Sequence, residues 1–578
     1  LGLDFGQTRF FMGWWGPRKR LFNFSSQCTI YPQDLLARLA KDGLGLIRKR
    51  INRKKEVLAN HFEQTTLVYR GQTFSGVFDQ DLKQIQDELG NSDDVIFHEF
   101  KIDHEKSRKA AIVYIDGLVD TEMVNNFILR PLINQPLPGG ERIDGTDVVN
   151  YLPMSEVRKL DDMEKAVKAV LSGDTVLLMD GASHPLSIST KGWKQRSVEE
   201  PDTESVIRGP RDGFTETLRV NTALVRRRLK DPKLRVQNLK IGERTETDVA
   251  LLYIDGIAND AIVHEVKARI DRIEMDAVLE SGFIEQFIED NHWSPFPQIQ
   301  NTERPDKVAA SLLEGRIAVL VDGSPFALIA PATFSQFYNS PEDYYERFLI
   351  ATLIRMIRVL SMFMALLLPS LYIAFSSFHP EMIPSKLVIA MAAGRATVPF
   401  SSVLEALLME ITMEILREAS VRLPGPIGPT IGIVGALVVG ESAVRAGIVS
   451  PIMVIVVALT TIGSFATPSY SAAISLRMLR FPMMLFAGTL GLYGIMLFLI
   501  VIIIHLCTLE SFGIPYLSPM APRIFTEWKD TILRAPLYRM LRRPASSLPA
   551  DEQRVVPASA ETIRKGERHD KADSSDHN

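Results

Sequence analysis

Cysteine is almost missing from this 578-residue chain. Cys28 and Cys507 stand far apart and supply neither a disulfide framework nor a metal-ligand cluster, so both are read as reduced. Excess charge is missing too: a formal net charge of -4 lacks the strongly basic footprint of a general nucleic-acid binder. The polar first part, to about residue 345, has no Walker-type phosphate loop, nucleophile elbow, zinc-protease signature or dinucleotide fingerprint. Enzymatic activity, cofactor and metal are therefore not expected. Nor is there a leader of the usual form. The apolar Phe10–Gly16 is short, and its charges (Arg18 to Arg20) follow rather than precede it, so the N-terminal region is expected to stay unexported.

What is present is uneven. A mean hydropathy near zero hides a polar first part, an apolar block over about 359–508 and a polar tail. Inside the block, Gly428, Gly432, Ala436 and Gly440 recur every four residues. On a helix they make a smooth stripe that lets a second helix approach closely in lipid, where packing drives association. Apolar runs at about 359–375, 430–446, 449–467 and 481–507 predict four membrane spans. Arg347, Arg355 and Arg358 precede the first, and Arg523, Lys529, Arg534 and Arg539 follow the last. Both ends are thus expected on the cytoplasmic side.

Residues 387–423 fit that scheme poorly. Glu405, Glu410, Glu414 and Glu418 lie there, the last three sharing one helix face, while Leu404, Leu407, Leu408, Ile411 and Ile415 make an apolar face. Two readings stay open: an amphipathic helix lying in the interface, or carboxylates facing water inside an oligomer.

The polar part contains a duplication. Ala111-Ile-Val-Tyr-Ile-Asp-Gly117 returns as Ala250-Leu-Leu-Tyr-Ile-Asp-Gly256, and a helix–Gly–strand unit ending at Asp180-Gly181 returns ending at Asp322-Gly323. Apolar strands alternating with helical stretches predict two related α/β subdomains. The four Asp-Gly pairs read as turns at strand ends, where Gly supplies positive φ, rather than as catalytic acids. Between the copies, Arg208, Arg211 and Arg219 lie among Glu200, Glu204 and Glu216, as an ion-paired linker or an anion site. The basic run Arg48–Lys55 reads as a solvated helix face. The tail, rich in Ser, Asp, Glu, Arg and Lys, is expected to be disordered.

Several stretches then resemble one family in order: Arg208-Gly-Pro-Arg-Asp-Gly-Phe-Thr-Glu216, Ser294-Pro-Phe-Pro-Gln298, Thr302-Glu-Arg-Pro305, Val321-Asp-Gly-Ser-Pro-Phe326, Pro369-Ser-Leu-Tyr372, His379-Pro-Glu-Met-Ile-Pro384, Glu414-Ile-Leu-Arg-Glu-Ala419 and Ser511-Phe-Gly-Ile-Pro-Tyr516. Together they resemble the A subunit of GerA-type spore germinant receptors. The resemblance implies a multi-pass protein of the spore inner membrane with both termini in the spore core. It implies a transporter-like, nutrient-sensing B subunit and a lipoprotein C subunit as partners, and a homo-oligomer that conducts ions. The related A-type subunit of the dipicolinate-release system and a secondary transporter are the alternatives. The fold class expected is a cytoplasmic α/β region of two related subdomains, then an α-helical polytopic membrane domain and a disordered tail. The boundaries are 1–91 (extension), 92–200, 201–345, 346–522 and 523–578. Glu405, Glu410, Glu414 and Glu418 are the candidate pore or gating residues.

Overall fold

The structure, a computed structural model, describes residues 73–102, 108–134, 148–149, 151–192, 200–201, 203–421, 438 and 440–554. All belong to one of two compact units, Gln72–Asn578. Its polar part consists of two lobes built to one plan.

The first lobe starts with α1 (Phe78–Leu89), whose Phe78, Leu82, Ile85 and Leu89 recur at helical spacing and are buried. These residues pack on Val113 and Val170 of the lobe core, so the lobe begins before the expected boundary at 92. Then come β1 (Val95–Ile102), β2 (Arg108–Ile115), β3 (Val157–Lys159), α2 (Met163–Leu171), β4 (Thr175–Met179) and β5 (Leu186–Ile188). The second lobe holds α3 (Leu218–Arg228), β6 (Leu234–Ile241), β7 (Thr247–Ile254), α4 (Asp260–Asp271), α5 (Ser281–Ile288), β8 (Gln300–Thr302), α6 (Pro305–Leu313), β9 (Ile317–Val321) and β10 (Ala327–Ala330).

The sheets run β1-β2-β4-β5-β3 and β6-β7-β9-β10-β8, the same order twice. Every pairing is antiparallel, and both hairpins match eight residues with eight, Val95 opposite Ile115 and Leu234 opposite Ile254. β4 and β9 are buried along their whole length because helices or loops cover both faces of each sheet. That is why they read as continuous apolar runs instead of alternating ones. Each buried Val, Leu or Ile contributes about 1.5–3 kcal/mol. The four Asp-Gly pairs are turns, with φ of +82°, +81°, +76° and +81° at Gly117, Gly181, Gly256 and Gly323.

The lobes meet through a buried ion pair. Arg226 on α3 donates from Nε to Asp94 Oδ2 at 2.7 Å and from Nη2 to Asp94 Oδ1 at 2.8 Å. Its Nη2 also reaches Ser92 Oγ at 2.9 Å, and that oxygen accepts from Val236 N at 2.9 Å. The two-pronged geometry is what a guanidinium offers and an ammonium does not.

The helical region follows: α7 (Phe348–Ser377), α8 (Ser385–Arg395), α9 (Ser402–Val421), α10 (Pro451–Phe465), α11 (Tyr470–Leu490) and α12 (Leu492–Thr508). Among the described residues, α7 and α11 are the two helices long and apolar enough to cross a membrane. Three expectations change here. α7 starts well before 359, because Arg355 and Arg358 find buried carboxylate and carbonyl partners and need not lie outside a helix. The expected span 481–507 is two helices, since Gly491 adopts φ +61° and ends α11. The expected span 449–467 is the 15-residue α10, about 22 Å long and shorter than a bilayer core. Most of the expected span 430–446 lies outside the described residues. So do Gly428, Gly432 and Ala436 of the small-residue stripe, whereas a Cβ on Gly440 would meet Val454 at 3.2 Å.

Contacts fix the direction of the longer helices. Arg358, near the start of α7, donates to Tyr338 O beside the second lobe, whereas Phe378, beyond its end, lies against Gly491. α7 and α11 therefore run away from the lobes. Glu405 near the start of α9 and Ser450 just before α10 meet Tyr372, far along α7. Arg417 near the end of α9 meets Ser464 near the end of α10, and Gly463 lies against Ser361. α9 and α10 therefore run back, as α12 does.

Residues 523–554 also differ from expectation. Instead of being disordered they form turns and short 3-10 helices that dock on the second lobe. Arg543 Nε donates to Leu313 O at 2.7 Å and Ser547 Oγ to Glu314 O at 2.6 Å. The tail's polar side chains thus satisfy the exposed C-terminal carbonyls of α6. Residues 555–578 lie outside the described residues.

Removing one partner of the inter-lobe pair leaves a buried charge. Asp94→Ala is expected to destabilise the α/β region by about 3–5 kcal/mol, and Arg226→Lys by less. Urea unfolding of the full chain in detergent, followed by far-UV circular dichroism, measures this. An unchanged midpoint in Asp94→Ala would remove the pair's assigned role.

Candidate functional site

Two polar constructions stand out. One runs through the helical region. Carboxylates of α9 meet arginines and hydroxyls at successive depths. Nearest the lobes, Glu414 pairs with Arg417 at 2.8 Å and lies 3.8 Å from Arg477, while Arg417 donates to Ser464 Oγ at 3.1 Å. In the middle, Arg480 pairs with Glu410 and donates from Nε to Ala365 O at 2.8 Å; both side chains are almost wholly buried. Deepest, Glu405 accepts from the Ser450 amide and hydroxyl, each at 2.6 Å, and from the Tyr372 hydroxyl at 3.3 Å, with Arg395 at 3.6 Å.

The ladder places the sequence candidates unequally. Glu405 and Glu410 are sealed among helices, whereas Glu414 and Glu418 border an open groove of about 550 Å³ with Ile411, Ile415, Ala419 and Phe481. Leu404, Leu408, Ile411 and Ile415 are exposed. The helix thus turns an apolar face outward and Glu405 and Glu410 inward, which suits surroundings of lipid. The inward carboxylates offset the cost of burying Arg480, which cannot lose its proton. Glu410 Oε1 and Arg480 Nη2 are nonetheless buried without hydrogen-bond partners, so this rung has spare bonding capacity.

The second construction joins the second lobe to the helices. Residues 294–298 form its centre. The Ser475 hydroxyl donates to Pro295 O, Tyr516 OH donates to Pro297 O at 2.8 Å, and Ser511 Oγ donates to Gln298 O at 2.8 Å. Ser294 Oγ lies 2.9 Å from His505 Nε2 on α12. Ser511 Oγ also accepts from Ala332 N at 3.0 Å. The hairpin after α12 is clasped from the other side: Phe512 N donates to Asp290 Oδ2 at 2.6 Å, and Arg269, paired with Asp290 at 2.7 Å, stacks over the Phe512 ring at 4.4 Å. Sequence reasoning missed this joint. Its one signal was the pair Ser471 and Ser475, polar residues one helical turn apart on the lobe-facing side of the helix.

The linker arginines all face carboxylates. Arg208 lies 3.7 Å from Glu346, Arg211 lies 3.5 Å from Glu200, and Arg219 pairs with Asp116 across the lobes. The linker is also held from below. The wholly buried Arg304 donates to Glu204 O and Pro210 O at 3.1 and 2.8 Å. Among the described residues no cluster of three or more His, Cys, Asp or Glu forms a metal-binding group.

Comparison with known proteins agrees on one family. The sequence model of the Bacillus/Clostridium GerA spore germination protein family matches residues 83–546. The chain is similar to spore germination protein KA of Bacillus subtilis (46% identity, 83% of this chain and 90% of that protein). It is also similar to GerLA of Bacillus cereus (45%; 80% and 94%) and to spore germination protein B1 of Bacillus subtilis (41%; 82% and 98%). Among solved structures, the N-terminal domain of the A subunit of the Bacillus megaterium spore germinant receptor GerK3 is 37% identical. That likeness covers 46% of this chain and 98% of the domain, with a TM-score of 0.35.

α5 carries a pH dependence into the joint. Burial, reinforced by Glu289 and Glu280, pushes the Glu285 carboxyl up to about 7. Burial also raises Glu289, whose Oε1 accepts from Gln298 N at 3.4 Å. A carboxyl whose pKa is higher folded than unfolded binds more protons when folded. Its contribution to stability is fully present below the unfolded value, 4.5, and lost as pH rises toward 7. Glu285→Gln is expected to remove a fall of up to about 3 kcal/mol across that window. Melting temperatures from pH 4.5 to 8 test it: a slope equal in the native chain and the variant would reject Glu285 as its source.

Proposed function

We propose that this chain, which belongs to the Bacillus/Clostridium GerA spore germination protein family and acts in spore germination as an A-type receptor subunit, turns germinant binding on a partner into ion release. The partners in this reading are a transporter-like B subunit that senses the nutrient, a lipoprotein C subunit and further copies of this chain. The site is the spore inner membrane, crossed several times, with both ends on the core side. Alternating helix directions support that topology, since α7 leaves the lobes and α12 returns to them. We assign Arg208, Arg211 and Arg219 to an interdomain linker.

The single observation that carries the reading is the rung Glu410–Arg480. It is buried, half-satisfied and shared between the carboxylate helix α9 and α11, which the joint ties to the second lobe. A displacement of the lobe reaches α11 through Ser471 and Ser475 and shifts Arg480 against Glu410. A germinant drives opening only by its differential affinity for the two arrangements. Glu410 then acts as a latch, and Glu414 and Glu418, beside the open groove, set cation preference. Gly440 is a helix-packing position, with Gly428, Gly432 and Ala436 assigned by the sequence stripe.

Potassium release from spores after nutrient addition tests this, at matched protein levels. Glu410→Gln leaves Arg480 uncompensated and is expected to change the release rate, with Glu410→Gln/Arg480→Gln closer to native. Glu414→Gln is expected to change ion preference more than rate. Unchanged release in both single variants would count against the ladder and reduce α9 to scaffold.

A further inference from the structure

We infer that residues 523–539, with the first turns of α7, form a binding surface for anionic lipid headgroups at the bilayer edge. The inference rests on the membrane reading above and adds to it a lipid partner and a site.

Position comes first. Arg355 Nη1 donates to Asp530 O at 2.8 Å, Tyr344 OH donates to Asp530 Oδ2 at 2.8 Å, and Arg534 N donates to Thr352 Oγ1 at 3.1 Å. These bonds pin the segment beside the first two turns of α7, where Leu349, Leu353, Met356 and Ile357 are exposed on the helix surface. That apolar strip continues along α7 through Leu360 and Phe363, as a lipid-facing surface does.

Composition comes second. Phe525, Trp528, Ile532, Leu533 and Leu537 are exposed in a segment whose exposed cations lie among them (Lys529) and at either end (Arg523 and Arg539), with Arg347 close in sequence to the same turns. The segment's two carboxylates point the other way. Asp530 is taken by Arg355 and Tyr344, and Glu527 accepts from Ser546 N at 3.0 Å. Arg523 lies over the rings of Phe525 and Trp528 at 4.4 and 4.9 Å. Aromatic rings at headgroup level with guanidinium groups on their faces suit the interface, where an arginine can bind a lipid phosphate with two hydrogen bonds. A surface of exposed cations and apolar groups with its carboxylates turned inward is complementary to an anionic bilayer.

The test uses the full chain in vesicles of phosphatidylcholine with or without phosphatidylglycerol, and the emission difference between the native chain and Trp528→Phe isolates Trp528. Brominated phosphatidylglycerol is expected to quench that difference more strongly than brominated phosphatidylcholine. Each cation removed in Arg523→Gln, Lys529→Gln and Arg539→Gln should raise the phosphatidylglycerol fraction needed by about fivefold. Arg523→Lys/Arg539→Lys should keep the preference, and high salt should reduce it. Equal quenching by both brominated lipids would overturn the anionic preference. Quenching by aqueous iodide but not by lipid would overturn the surface, and shielding from both would give it to a protein contact instead. Flotation with vesicles in the same samples separates these failures from failure of the membrane reading.

Discussion

A guanidinium group keeps its charge wherever it is placed, and burying one unpaired costs several kcal/mol. This chain buries Arg226, Arg304, Arg355, Arg358 and Arg480, and much of its architecture follows from what each must find. Arg226 needs Asp94, so the lobes meet at α3. Arg304 needs the carbonyls of Glu204 and Pro210, so the linker lies against α6. Arg355 and Arg358 share Asp343, so the long apolar helix α7 is attached to the end of the second lobe before it can leave. Arg480 needs Glu410, so the carboxylate helix α9 faces inward. Apolar contacts fill the volume, but they are interchangeable in a way these pairs are not.

The duplicated lobes have diverged in use. Both keep the sheet order, the hairpin register and the Asp-Gly turns. In the second, the segment before β8 has become the joint, presenting the carbonyls of Pro295, Pro297 and Gln298 to hydroxyls from the helices. Proline suits that role because it leaves carbonyls exposed while donating no amide hydrogen of its own. The first lobe meets the second through polar contacts that include Arg226 with Asp94, Arg219 with Asp116 and the Val236 amide with Ser92, and such contacts permit motion between lobes more readily than a large apolar interface.

What could be read from the sequence was what repeats or punctuates. The duplication announced two lobes, and Asp-Gly at strand ends announced turns because few other dipeptides accept that φ. Strand pairing was not legible, since apolar runs buried on both faces say nothing about direction. The break at Gly491 was hidden inside one continuous apolar run, and glycine in membrane helices is too common to signal an end. Glu405, Glu410, Glu414 and Glu418 were visible as carboxylates on a helix. The partners of Glu405 and Glu410, which are Arg395, Ser450 and Arg480, lie up to about 70 residues away in sequence, and no local pattern links them. The order of segment 523–554 was invisible for the same reason: its anchors are backbone carbonyls and side chains of distant elements.

The joint and the ladder share α11, and this gives the helical region a direction of influence. Ser471 and Ser475 touch the second lobe, Arg477 and Arg480 face α9, and Gly491 at the far end lies against Phe378 and His379 beyond α7. A helix held at one end by hydrogen bonds and in its middle by one half-satisfied ion pair cannot shift at the first without disturbing the second. Low dielectric makes that disturbance costly in steps rather than gradual, because a buried arginine is either paired or it is not. A discrete change of partner is what a two-state element requires, and α11 is where the lobe and the carboxylates can both bias it.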